Sequence, residues 1–177
     1  MKLIIASDIH GSALSTELLM QHVDKEQPDF IVLLGDLLYH GPRNPLPEGH
    51  DPMRVAELLN AKHEQIIAVR GNCDAEVDQM VLNFPCMGDF AELDDAGRTL
   101  FFTHGHVFSP DKHPELNAGS FFFSGHTHVK TNEERNGVTY VNPGSTSLPK
   151  DGSKSFAIYE DGHVTLKALE TGEEITL

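Results

Sequence analysis

Basic residues are scarce in this chain: 13 Lys and Arg stand against 27 Asp and Glu, a net charge of −14 with no basic run anywhere. Sequence-independent nucleic-acid binding sets Lys and Arg against phosphates, so this composition argues against a nucleic-acid partner. It leaves a small anionic ester open as a ligand, because a metal cluster can reverse the local field inside an acidic protein. Cysteine is scarce too. Cys73 and Cys86 are the only two and form no recognisable spacing, which fits a reducing compartment. Apolar runs are short: Lys2 to Ala6 is broken at once by Ser7-Asp8. A secretory leader needs about 7–15 apolar residues and a membrane span about 18, and the chain offers neither. A cytoplasmic protein without a membrane partner is expected.

What is present reads as one globular domain over residues 1–177, with 39% hydrophobic and 23% charged residues. A chain of this length can bury most of its apolar surface without disulfides. The first half alternates strand and helix. Buried strands are expected at Lys2 to Ala6, Phe30 to Leu34 and Ile66 to Val69. Ser12 reads as the cap of a helix carrying Leu14, Leu18, Leu19 and Val23, and Asp51-Pro52 opens another carrying Val55, Leu58 and Leu59. A short helix is expected from Asp74 to Leu82, stopped near Phe84-Pro85. The second half reads as hairpins, with turns at Asp95-Ala96-Gly97, Asn136-Gly137 and Asp161-Gly162, and an apolar run at Phe121 to Ser124. The pattern points to a layered α/β domain with two packed sheets. Exposed hairpin edges in the second half offer a route to a homo-oligomer.

The chemistry-bearing residues gather just past these apolar runs. Asp8 and His10 close the first strand two positions apart, a spacing that sends both side chains to one side of an extended chain. Asp36 follows Gly35 after the second strand, and Arg70-Gly71-Asn72-Cys73-Asp74 follows the third. His104-Gly105-His106 and Gly125-His126-Thr127-His128 follow two strands of the second half. Ligands in open α/β sheets bind beyond the carboxyl ends of strands, which is where all these groups fall. A lone Asp there is usually a turn residue and a lone His usually a surface residue. The joint occurrence of all five pieces points to metal.

In these motifs the chain resembles the calcineurin-like metallophosphoesterases, whose pattern is Asp-x-His, Gly-Asp, Gly-Asn-His-Asp/Glu, His and Gly-His-x-His. Asp8-Ile9-His10, Gly35-Asp36, Gly71-Asn72-Cys73-Asp74, His104 and Gly125-His126-Thr127-His128 carry the resemblance, from about Lys2 to Pro149. The loop His40-Gly41-Pro42-Arg43-Asn44 and the segment Asn142-Pro143-Gly144-Ser145 are similar to those of the small bacterial YfcE-type phosphodiesterases. The resemblance implies a four-layer α/β/β/α sandwich of two mixed sheets. It implies two divalent ions, one on Asp8, His10 and His128, the other on Asn72, His104 and His126, with Asp36 bridging. It implies hydrolysis of small phosphodiesters by a metal-bridging hydroxide, with Asp36, Asn72, Cys73, Asp74 and His106 in or beside the chemistry. Phosphomonoesters or dinucleotide polyphosphates are the alternative substrates, and an interaction scaffold of the same fold, as in a retromer subunit, is the alternative class.

The residue types suit that chemistry. Two carboxylates, one amide and four imidazoles leave two divalent ions with residual positive charge, attractive to an anionic ester. Nitrogen and oxygen donors without thiolate suit Mn first, then Fe, Zn, Co or Ni, and not Ca. One departure stands out. Cys73 occupies a position where the family often has His, the group read as assisting the leaving oxygen. A thiol donates hydrogen bonds weakly, which implies slow turnover of esters with poor leaving groups; alternatively Cys73 only fills space. His106 reads either as a partner that orients a ligand or as a loop residue. Arg43 reads either as a phosphate contact or as a solvated loop charge. Asn142 and Ser145 stand in a turn that either lies near the site or holds one of its ligands.

Overall fold

The computed structural model describes residues 1–177. Three strands of the first half, β1 (Lys2–Ala6), β2 (Phe30–Leu33) and β3 (Ile66–Ala68), run parallel, with Leu3 opposite Phe30 and Ile31 opposite Ile66. The second half supplies β4 (Phe90–Asp95), β5 (Arg98–Thr103), β6 (Phe121–Phe123), β7 (Thr131–Arg135), β8 (Val138–Asn142), β9 (Ser155–Glu160) and β10 (His163–Ala168). The last hairpin returns to the first sheet, whose order is β10-β9-β1-β2-β3, while the second sheet runs β4-β5-β6-β8-β7. Both sheets are mixed, because each joins a parallel core to antiparallel hairpins.

Strand alternation distributes the apolar side chains between layers. Leu3, Ile5, Val32 and Leu34 face Leu100, Phe102, Phe121 and Phe123 between the sheets. Ile4, Ala6, Ile31 and Leu33 face the other way, beneath α1 (Ala13–Glu26) and α2 (Pro52–Asn60). The Phe121–Phe123 run is apolar throughout because both its faces are covered: Phe122 points outward with Phe101, Val138 and Tyr140 under Phe108 and Leu116. That outermost layer is the irregular segment 104–120 rather than a helix. Phenyl rings stack across β5 and β6, Phe102 on Phe123 at 5.1 Å. Truncating one to Ala costs about 3–5 kcal/mol by lost burial and the cavity left behind.

Both helix starts follow from their caps. Ser12 Oγ accepts the Ser15 N–H at 3.2 Å, and Asp51 accepts the Arg54 N–H at 3.1 Å with Pro52 just inside. Two expectations need correction. The buried stripe of α1 is Ala13, Thr16, Leu19, Met20 and Val23, whereas Leu14 lies outside it, 38% exposed, against the turn at Gly49. The segment from Asp74 to Leu82 is not a helix but a loop with one short 3₁₀ turn at Asp78–Met80. Local polar groups explain it: Asp74 spends its carboxylate on the N–H groups of Asp36, Leu37 and Gly71, and Asp78 takes the Ala75 N–H at 2.8 Å.

Parallel β1, β2 and β3 end on one rim, as do parallel β5 and β6. The two rims meet: His104 Nδ1 donates to the Leu34 carbonyl at 2.7 Å, and the His126 N–H donates to Asp8 Oδ2 at 3.0 Å.

Candidate metal centre

Beyond these strand ends the backbone turns sharply. Asp8, His10, Asp36, His126 and His128 all have positive φ, between 51° and 66°. Asp8 and His10 therefore do not lie on an extended chain, as their spacing suggests; the backbone is left-handed at both. Asp and His tolerate this region better than most residues, but each still carries strain of about 1–2 kcal/mol that surrounding contacts must hold in place.

Those contacts are identifiable. Gly71 sits so close to Asp36 that a Cβ there would fall 2.1 Å from Asp36 Oδ1. At Gly125 a Cβ would fall 1.8 Å from Ser7 Oγ and 2.7 Å from Asp8 Oδ2. Asp74 lies buried behind Asp36. Its carboxylate accepts the N–H groups of Asp36 and Leu37 at 2.8 Å and of Gly71 at 2.7 Å, tying two ligand loops together. Burial raises this carboxyl to about 6 despite those N–H groups. Asn142 Nδ2 donates to the Gly125 carbonyl at 2.7 Å and to Thr127 Oγ1 at 3.0 Å, fixing the His126–His128 loop. Ser145 and Ser147 donate to the Asp8 carbonyl at 2.7 and 2.9 Å. Asn142 and Ser145 thus hold ligand-bearing backbone, and Ser147, which no motif singles out, acts with them.

The ring nitrogens are oriented by backbone. His10, His104 and His128 donate Nδ1–H to the carbonyls of Tyr39, Leu34 and Leu148 at 2.9, 2.7 and 2.6 Å, which leaves Nε2 of each ring aimed inward. His10 Nε2 stands 3.2 Å from His128 Nε2 and 3.7 Å from both Asp8 Oδ1 and Asp36 Oδ2. Asp8 Oδ1 is buried and hydrogen-bonded to nothing, with His128 Nε2 3.2 Å away. On the other side of Asp36, His104 Nε2 lies 3.5 Å from Asp36 Oδ2 and 3.0 Å from Asn72 Oδ1. His126 stacks edge-on against His104 with centroids 5.1 Å apart. Asp36 Oδ1 accepts the Cys73 N–H at 2.8 Å. No Lys or Arg pairs with Asp8 or Asp36. So many converging acceptors fit one kind of guest, a cation. Burial pushes the His104 ring toward neutrality, yet the Asp36 and Asp8 carboxylates outweigh it and lift the ring to about 9.

Residues 1–161 match the calcineurin-like phosphoesterase superfamily domain. The chain belongs to that superfamily. It is 45% identical to phosphodiesterase YfcE of Escherichia coli K12 over 96% of this chain and 92% of that protein. Its fold is similar to the solved structure of YfcE, a phosphoesterase from E. coli, with TM-score 0.97 over 99% of this chain and 97% of that one at 43% identity. Vacuolar protein sorting 29 from Cryptosporidium parvum shares the fold, at TM-score 0.68 and 15% identity over 98% and 94% of the two chains.

As a calcineurin-like phosphoesterase chain, it opens onto solvent through a polar cleft of about 590 Å³ lined by Asp36, Asn72, Cys73, His126, Arg43 and Lys150, among others. Arg43 therefore stands on the cleft wall. Lys150 stands there too, and only the fold brings it in. Burial, with Asp36 beside it, pushes the Cys73 thiol up to about 12, so it stays protonated, with Asn72 Nδ2 donating to its sulfur at 3.2 Å. His106 is exposed, its ring 5.3 Å from that of His104. No helix is long and apolar enough to cross a membrane.

Proposed function

We propose that the chain is a metal-dependent phosphodiesterase, acting as one unit across residues 1–177 on small phosphodiesters. The observation that carries this reading is the ring of buried nitrogen and oxygen acceptors around Asp36 with no Lys or Arg among them. Asp8, His10 and His128, whose ligand atoms lie within 4.8 Å of one another, would hold one divalent ion. Asn72, His104 and His126 would hold a second, and Asp36 stands between the two sets. Manganese is the first choice, with Fe, Zn, Co and Ni suited to the same donors. Two such ions supply a nucleophile at neutral pH and a counter-charge for the phosphoryl group.

The chain's own residues position that reaction. Arg43 and Lys150 offer charge-assisted contacts to phosphoryl oxygens at the cleft wall. Asp74 and Asn142 keep the ligand loops fixed behind the site. Cys73, a neutral and weak donor, helps a leaving oxygen little, so esters with good leaving groups turn over faster; Cys73→His is expected to speed alkyl esters about tenfold or more. The likeness to a phosphodiesterase supports diesters over monoesters. The test is metal-stripped protein given Mn, Mg, Zn or nothing, assayed on a chromogenic phosphodiester and the matched monoester. Metal-dependent cleavage favouring the diester is expected. Preference for the monoester would change the substrate class, and metal binding without cleavage of either would turn the reading toward a scaffold.

A further inference from the structure

Beside the polar cleft lies a second cavity of about 380 Å³ with opposite chemistry. Leu38, Pro52, Met53, Ala75, Val77 and Val81 line it, and Cys73 belongs to both cavities. Asp78 lines it as well, and three of the wall residues are bonded to the ligand loops. The Tyr39 carbonyl accepts from His10 Nδ1 at 2.9 Å, His50 Nδ1 donates to the His10 carbonyl at 3.2 Å, and the Cys73 N–H reaches Asp36 at 2.8 Å. The apolar cavity thus begins one hydrogen bond away from the candidate centre. Met53 and Val77 stand 59% and 61% exposed at its rim, apolar area left in water close to a site.

We propose that this cavity receives one organic arm of the phosphodiester, an apolar or aromatic group, while the phosphoryl group sits in the polar cleft on the far side of Cys73. The inference rests on the phosphodiesterase reading and adds a substrate class to it. A diester carries one anionic centre and two ester arms. The polar cleft suits the anion and has a single hydrophobic lining residue, whereas most residues lining the adjoining cavity are hydrophobic. Small-molecule sites pair an apolar wall with a few placed polar groups in this way. Cys73 lines both chambers, so an arm that enters one from the other passes beside it.

Calorimetric titration of manganese-loaded full-length protein with phenylphosphonate and methylphosphonate tests this, since both share the anion and differ only in the arm. Phenylphosphonate is expected to bind at least about tenfold tighter, because the ring leaves water. In Val77→Asp and Met53→Asp the advantage should fall to about twofold or less, while methylphosphonate affinity stays unchanged and reports that each variant is folded. Equal affinities in the unaltered protein, with diester hydrolysis intact, would overturn this inference and spare the function. Failure of both phosphonates to bind, with no diester cleaved, would overturn both. A change of solution mass in Val77→Asp would assign the apolar rim to a second copy of the chain and overturn the proposal.

Discussion

Left-handed backbone at the hairpin tips and at the candidate centre is supported in different ways, and the contrast explains much of the design. At the hairpin tips Ala96, Asn136 and Asp161 have φ of 55°, 53° and 50°, each followed by a glycine with φ above 80°. These turns are exposed, and their conformation matches the right-handed twist of the strands they join. At the candidate centre Asp8, Asp36, His126 and His128 adopt the same φ with no glycine after them, His10 alone being followed by one (Gly11, φ 77°), and the side chains are mostly buried. The hairpin tips are turned by their own residues. The ligand loops are held by Asp74, Asn142, Ser145 and Ser147 reaching across from other elements. Strain that tertiary contacts must hold marks a site rather than a turn.

Substitutions separate the two cases. Asp36→Ala removes the carboxylate between the two candidate ligand sets and is expected to lower metal-dependent hydrolysis by more than about a hundredfold, beyond the loss of an outer partner. Asn142→Ala frees the His126–His128 loop, so a loss of about 10–100-fold in activity or metal affinity is expected, measurable by titration with manganese. For stability, Gly125→Ala should cost about 3 kcal/mol in urea unfolding, since the added Cβ meets Ser7 and Asp8. Gly97→Ala meets nothing within 4 Å and should cost only about 1 kcal/mol, the conformational penalty alone. Equal losses at the two glycines would break the distinction. The smallest effect is a gain: Ala96→Asn is expected to stabilise by about 0.5 kcal/mol, because Asn suits the first position of this turn.

The same contrast decides what could be read from the chain. Hairpins at Asn136-Gly137 and Asp161-Gly162, and helix starts at Ser12 and Asp51, rest on neighbours in sequence and were legible. So was the gathering of Asp8, Asp36, His104 and His128 at strand ends, because parallel strands deliver their carboxyl ends to one rim. The backbone at Asp8 and His10 was not legible, since an i, i+2 pair reads as extended until Gly125 and Ser145 are brought against it. The loop at Asp74 to Leu82 failed as a helix for a related reason: the Asp74 carboxylate serves the loops after β2 and β3, while Asp78 takes the Ala75 N–H. Tyr39, Leu34 and Leu148 orient rings through their carbonyls, which no side-chain pattern can announce. Lys150 and the apolar cavity across Cys73 are products of the fold alone.

On the proposed function, these strained loops would hold two cations, with Asp36 between the two ligand sets. Counting manganese ions bound per chain, in metal-stripped protein and in Asp36→Ala, tests it most directly. Two ions per chain in the unaltered protein and fewer than two in the variant are predicted. A count of one or none in the unaltered protein, or two retained without the Asp36 carboxylate, would contradict it.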